Sequence, residues 1–310
     1  MLGVTDHPTD GKEPKINLEV ENRDFKYYIF DWDDNILHMP TRIHLEKHQP
    51  DGSWKPHSVS TAAFAVLRKD TEQYRPPNGD WEQAFVEFRD HEGESESRFL
   101  SDTREALDKV LRGEITPGPS FEKLRETLRD GRLFAIVTAR GHEPDSLRKA
   151  VRLFIDVVLT PEEREMMIAN LRGYRAVFDH YFVADSDEDE LQYYLSLNRY
   201  HAVTNPRFRR WLKINTGAET PEEAKLFAIR VFIEHVTHIM ERTGADALRH
   251  PISVGFSDDD VGNVTAVTDF IRSELSARFP AIKFCVYDTS DPTITDGRKV
   301  TVSGQLDLGL

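Results

Sequence analysis

Three short polar clusters in this chain carry enough side-chain oxygen to do chemistry: Asp31-Trp32-Asp33-Asp34-Asn35, Thr138-Ala139-Arg140-Gly141 and Ser257-Asp258-Asp259-Asp260. Asp31 and Asp33 stand two residues apart, so at the end of a strand they share a face and present two carboxylates to one ligand. Carboxylates this close repel, and the arrangement is stable when one is protonated or when a cation lies between them. Asp258 and Asp259 bring more charge of the same sign. Ligands made only of oxygen, at this charge density, suit Mg2+, a hard cation that keeps several waters and often takes substrate phosphate oxygens as well.

Each cluster follows an apolar run, at 26–30, 133–137 and 252–256, rich in β-branched and aromatic residues and read as a buried strand. A short strand is also expected over 181–184, and another over 282–287. Helical signals alternate with the strands: 121–128 stopping at Gly131, a helix from Asp145, and one over 264–277. Thr160-Pro161-Glu162-Glu163 and Thr220-Pro221-Glu222-Glu223 are capping boxes, the second opening a long helix that should stop at Gly244. The expected fold is α/β, a doubly wound, mostly parallel sheet with helices on both faces. Ligands of such sheets bind at the carboxyl ends of the strands, where the three clusters would converge. Residues 36–59 read as a hairpin turning at Asp51-Gly52. After it, Asp80 caps a helix carrying Trp81, Phe85 and Phe88, and Ala106, Leu107, Val110 and Leu111 mark another that ends near Gly113.

The chain has 310 residues, enough for about two domain-sized units or one domain with a large insertion. We divide it into a polar tail at 1–24, a core at 25–45 and 115–310, and a mainly helical insertion at 46–114. Lys and Arg number 40 against 54 Asp and Glu, a net charge of −14 without any long basic run. That balance argues against bulk binding to nucleic acid or anionic lipid. No apolar stretch approaches the roughly 20 residues of a membrane helix, and the first residues have no apolar signal region. The lone Cys285 sits in an apolar run as a small buried hydrophobe. The expectation is a soluble, cytoplasmic protein.

Taken together, the motifs resemble those of the haloacid dehalogenase (HAD) superfamily of phosphatases and phosphotransferases. Tyr27 to Asn35 resembles its first motif, a strand followed by Asp-x-Asp; Ile136-Val137-Thr138-Ala139-Arg140 resembles the second; Phe256 to Val264 resembles the fourth in its Asp-Asp form. The resemblance implies a Mg2+-dependent phosphomonoester hydrolase in which Asp31 is the nucleophile and Asp33 the acid and base. It further implies that Thr138, with Ala139 and Arg140, holds the phosphoryl group. Mg2+ would be held by Asp31, the Asp33 carbonyl, Asp258 and Asp259. The family's motif lysine would be Lys225, favoured over Lys213 because its helix is better defined. The implied substrate is a small phosphorylated metabolite, with a nucleotide or polynucleotide end left open. A phosphotransferase or a non-catalytic binding protein on the same fold is the alternative.

Two residues depart from the family pattern. Asn35 stands where Thr or Val is usual, and the bulky Trp32, between the two acids, is expected to pack against the insertion. Asp34 and Asp260 are expected to be solvent-exposed loop acids or helix caps. The acidic run at 185–190 reads as a solvated face, the basic strip of Arg207, Arg209, Arg210 and Lys213 as a surface or ion-pairing strip, and His44 and His48 as surface residues.

Overall fold

Strand β1 (Phe25–Phe30) sends alternate side chains into two different cores, Phe25, Tyr27 and Ile29 to one side and Phe30 to the other. This period-two alternation is what a strand at the middle of a sheet covered on both faces requires. The structure is a computed structural model describing residues 25–179, 182–217, 220–242 and 252–302. The tail at 1–24, the helix stop at Gly244 and Tyr181 lie outside the described residues.

β1 pairs in parallel with β5 (Phe134–Thr138) on one side and β7 (Ile252–Asp258) on the other. Beyond β5 lies β6 (Arg199–Ala202), and beyond β7 lie β8 (Ile282–Asp288) and β9 (Arg298–Val302), giving the order β6-β5-β1-β7-β8-β9. Only β9 runs antiparallel, so this is a mostly parallel α/β sheet. One core holds side chains of α3 (Arg98–Leu111), α4 (Phe121–Arg129), α5 (Pro144–Val158), α6 (Pro161–Phe178) and α7 (Asp187–Leu197). The other holds α8 (Pro206–Thr216), α9 (Pro221–Arg242) and α10 (Val261–Phe270), the last continuing through a wider turn over Ile271–Leu275.

Several expectations need correction. Residues 182–184 are irregular, and Phe182 stacks on Tyr193 with ring centroids 3.9 Å apart. The strand at that edge of the sheet is β6, whose sequence RYHA has too little apolar content to announce itself. α8 and β9 had no sequence-based expectation; α8 contains the basic strip, in which Arg207 reaches Glu143 at 3.6 Å. The acidic run opens α7 at its N-terminus, where negative charge is favourable, and its Glu190 is buried against Arg175 at 2.8 Å.

The insertion is mixed sheet and helix. β2 (Ile43–His48) and β3 (Trp54–Val59) form the hairpin turning at Asp51-Gly52, and β4 (Tyr74–Arg75) joins β2 to make a second, antiparallel sheet. With the short α1 (Thr61–Leu67) and α2 (Trp81–Ala84) it has its own core of Ile43, Leu45, Val59, Ala84 and Phe88. α3 belongs elsewhere: Phe99, Ala106 and Leu107 are buried in the same core as Phe30 of β1.

The chain re-enters the main core through Gly118, whose N–H donates to the Ile36 carbonyl at 3.0 Å. A Cβ there would lie 2.5 Å from the carbonyl carbon and oxygen of Asn35, and backbone cannot yield as a flexible side chain would. Gly118→Ala should cost about 1–3 kcal/mol in urea unfolding as an overpacked site. Leu111→Ala, at an exposed position, should stay within about 0.5 kcal/mol. Equal stability of the two variants would contradict this close approach.

Candidate functional site

The site is assembled where β1, β5 and β7 end side by side. The Asp31 N–H donates to the Ser257 carbonyl at 3.1 Å, which carries the β1–β7 pairing into the loop. Asn35 then clips the loop down. It is fully buried, its amide donates to the Asp31 carbonyl at 2.9 Å and to Ser257 Oγ at 3.0 Å, and its own oxygen accepts from Thr289 Oγ1 at 2.8 Å. Asn35 thus ties the ends of three neighbouring strands, a task that the amide's donors and acceptor together can do and Thr or Val could not. Trp32 is fully buried against Phe99 of α3, with ring centroids 5.4 Å apart.

Lys225 lies in the first turns of α9, which starts at its capping box: the Glu223 N–H donates to Thr220 Oγ1 at 3.2 Å and Glu223 Oε2 accepts from the Thr220 N–H at 3.0 Å. Its Nζ donates to Asp31 Oδ1 at 3.0 Å and to Asp258 Oδ2 at 2.8 Å, and all three side chains are buried. Lys213, by contrast, is exposed on α8. Asp258 accepts further hydrogen bonds from the Asp260 N–H at 3.0 Å and from Asn263 Nδ2 at 3.1 Å. One carboxylate oxygen each from Asp31, Asp258 and Asp259 lie within 4.8 Å of one another.

Burial pushes the Asp31 carboxyl well above the usual carboxylate range; Lys225 pulls it down, and the charges of Asp258, Asp259 and Asp33 push it up again. Burial, followed by Asp258 and Asp34, pushes Asp259 up to about 8. Burial alone would lower Lys225, but Asp258 and Asp31 outweigh it and hold the ammonium above the ordinary lysine range. No ion pair reaches Asp259 among the described residues. Three oxygen ligands, one of which resists ionising because it is buried beside other acids, are a donor set that fits a hard divalent cation.

The Asp33 carboxylate does not join this set. It is forked by Arg140, with Nη2 to Oδ1 at 2.6 Å and Nε to Oδ2 at 2.8 Å, and Thr138 Oγ1 lies 3.4 Å from Oδ2. The main-chain oxygen of Asp33 accepts the Asn35 N–H at 2.5 Å. Arg140, expected to hold the phosphoryl group, is 1% exposed and is engaged beneath Asp33, whereas Ala139 is exposed and its carbonyl accepts from Thr204 Oγ1 at 3.0 Å. Thr138 is buried at the end of β5, beside Asp33.

Asp34 is not a free loop acid. It adopts a left-handed backbone at φ 53°, and its carboxylate is held by His38 at 2.7 Å and by Thr61 Oγ1 at 2.6 Å. Burial would raise its pKa; the His38 and Thr61 hydrogen bonds outweigh that and hold it below the carboxylate range. Asp260 is the N-cap of α10, as expected. Sequence reasoning missed Asn263, Thr41 and Asp102. Asn263 had a signal, since an amide in the first turn after an acidic strand end lies within reach of that end; Thr41 and Asp102 had none. No protein-family model, no curated protein and no solved structure matches this chain.

Two outcomes follow for the metal-free protein. Asp259 and Asp31 have folded pKa values above their unfolded ones, near 4, so the unfolded state holds fewer protons between about pH 4 and 8 and stability falls as pH rises through that window. In EDTA, wild type should lose stability over this range relative to Asp259→Asn, by at most about 1.4 kcal/mol per pH unit; parallel pH curves would refute it. Lys225→Met, which leaves two buried carboxylates without their cation, should cost about 3–5 kcal/mol at pH 8 by chemical denaturation.

Proposed function

We propose that the protein is a Mg2+-dependent phosphomonoester hydrolase of the HAD type, working through an aspartyl-phosphate on Asp31. The observation that carries this reading is the buried Lys225 ammonium bridging Asp31 and Asp258, next to a third carboxylate, at the carboxyl ends of parallel strands. Such a site is poor in positive charge for the acids it holds and is suited to a cation together with a phosphoryl group. The doubly wound HAD-like core, with the β2–β4 unit inserted as a cap, belongs to the same proposal.

Asp31 supplies the carboxylate oxygen that attacks phosphorus, and the bond from phosphorus to the ester oxygen breaks. Asp33 gives its proton to the departing oxygen and regains one from the water that next attacks phosphorus; the bond from phosphorus to Asp31 then breaks and inorganic phosphate leaves. Lys225 keeps a positive charge against Asp31 throughout, and the Thr138 hydroxyl would donate to a phosphoryl oxygen. Asp31, Asp258 and Asp259, with the Asp33 carbonyl, would hold Mg2+, whose positive charge would offset that of the phosphoryl oxygens. The substrate in this reading is a small phosphorylated metabolite, and a cytoplasmic setting agrees with the single, buried Cys285.

The test is a phosphate-ester panel assayed with Mg2+ and with EDTA. Turnover should require the metal, and Asp31→Asn should lower kcat by at least about 10³-fold while the protein stays folded. Metal-independent hydrolysis, or hydrolysis that survives Asp31→Asn, would refute the mechanism.

A further inference from the structure

Arg140 is placed with unusual care for a residue that reaches no solvent. Its guanidinium lies over the rings of Phe88 and Phe99, 4.6 and 5.2 Å from their centroids. Nη2, besides its bond to Asp33, donates to Thr41 Oγ1 at 2.8 Å; that hydroxyl in turn donates to Asp102 Oδ2 at 2.5 Å, and the other oxygen of Asp102 meets Arg98 Nε at 3.1 Å. Nη1 stands 3.5 Å from His142 Nε2, whose other ring nitrogen is 3.1 Å from Asp90. Three stretches of chain, 41, 88–102 and 138–142, therefore converge on one guanidinium. A planar fork held at this many points fixes the plane and the distance of whatever carboxylate it pairs with.

We infer that Arg140 is a positioning residue for Asp33, fixing the carboxyl group that passes its proton to the leaving oxygen and, as the carboxylate, takes one back from water, and is not a ligand of the substrate phosphate. The inference rests on the proposed role of Asp33 as acid and base. Proton transfer from a positioned group requires hydrogen-bond distance and alignment, and small displacements cost large factors in rate. A carboxylate two residues beyond the nucleophile, on a loop, gets this alignment from the buried fork. A substrate-binding arginine would instead present free N–H groups to the crevice, whereas Nε and Nη2 here are engaged by Asp33 and Thr41.

The experiment uses the full chain with Arg140→Met, Arg140→Lys and Thr41→Val, assayed with Mg2+ on 4-nitrophenyl phosphate and on a simple alkyl phosphate, with inorganic phosphate as competitive inhibitor. An alkoxide needs a proton to leave and 4-nitrophenolate needs little help, so kcat/KM for Arg140→Met should fall about 100-fold on the alkyl ester and about 10-fold on the aryl one. The inhibition constant of phosphate should stay within about twofold of wild type. Arg140→Lys should recover part of the loss, and Thr41→Val should show the same leaving-group pattern at smaller amplitude; these two carry the test if Arg140→Met does not fold. Equal losses on both esters would mark Arg140 as merely structural, and weaker phosphate inhibition would mark it as a substrate ligand; either overturns the inference alone. Wild type inactive on every ester, or active after Asp31→Asn, would overturn the underlying reading and this inference with it.

Discussion

The ammonium of Lys225 between Asp31 and Asp258 is the interaction on which the rest of this structure depends. Two buried acids at adjacent strand ends would repel each other without a cation between them, and here the cation comes from a helix. α9 supplies it because its capping box fixes where the helix begins, and therefore where Lys225 stands. A third acid, Asp259, is left without an ion pair among the described residues. Three carboxylates against one ammonium leave this cluster two positive charges short.

A second constraint is that the acids serve separate purposes within a few ångströms. Asp31 and Asp258 face the lysine, Asp33 faces Arg140, and Asp34 faces His38 and Thr61. Such sorting requires sharp changes of backbone direction in the loop after β1. The left-handed Asp34 and the buried Asn35 clip provide them, and Gly118 allows the returning chain to lie directly on that loop.

Much of this was legible in the sequence, for physical reasons. The apolar runs of β1, β5 and β7 end abruptly in polar clusters, so both the strands and the convergence of their ends could be read. Lys225 could be read because Thr220 to Glu223 fixes the phase of its helix. β6 could not, since its neighbours and not its composition make RYHA a strand; nor could β9, which exists through pairing with β8. The family resemblance implied a phosphoryl-holding role for Arg140, and its pairing with Asp33 could not be read from the sequence. Its burial depends on Phe88, Phe99 and Thr41, which are remote in sequence and carry no motif. The mixed sheet-and-helix insertion escaped for the same reason: β4 has two residues and no pattern of its own.

Bonds within the site span long stretches of chain: Asn35 reaches Ser257 across 222 residues and Lys225 reaches Asp31 across 194. β1 is the first strand of the described chain and the one that both halves of the parallel sheet flank. While the protein is being synthesised, β1 therefore has no partner on one edge until residues 252–258 have emerged, and Asp31 has no counterion until Lys225 has. The centre of the sheet must wait for late-arriving segments, and its apolar faces and open edge are exposed for longest. A fold that places its chemistry at the junction of early and late chain therefore ties the completion of that site to the completion of folding itself.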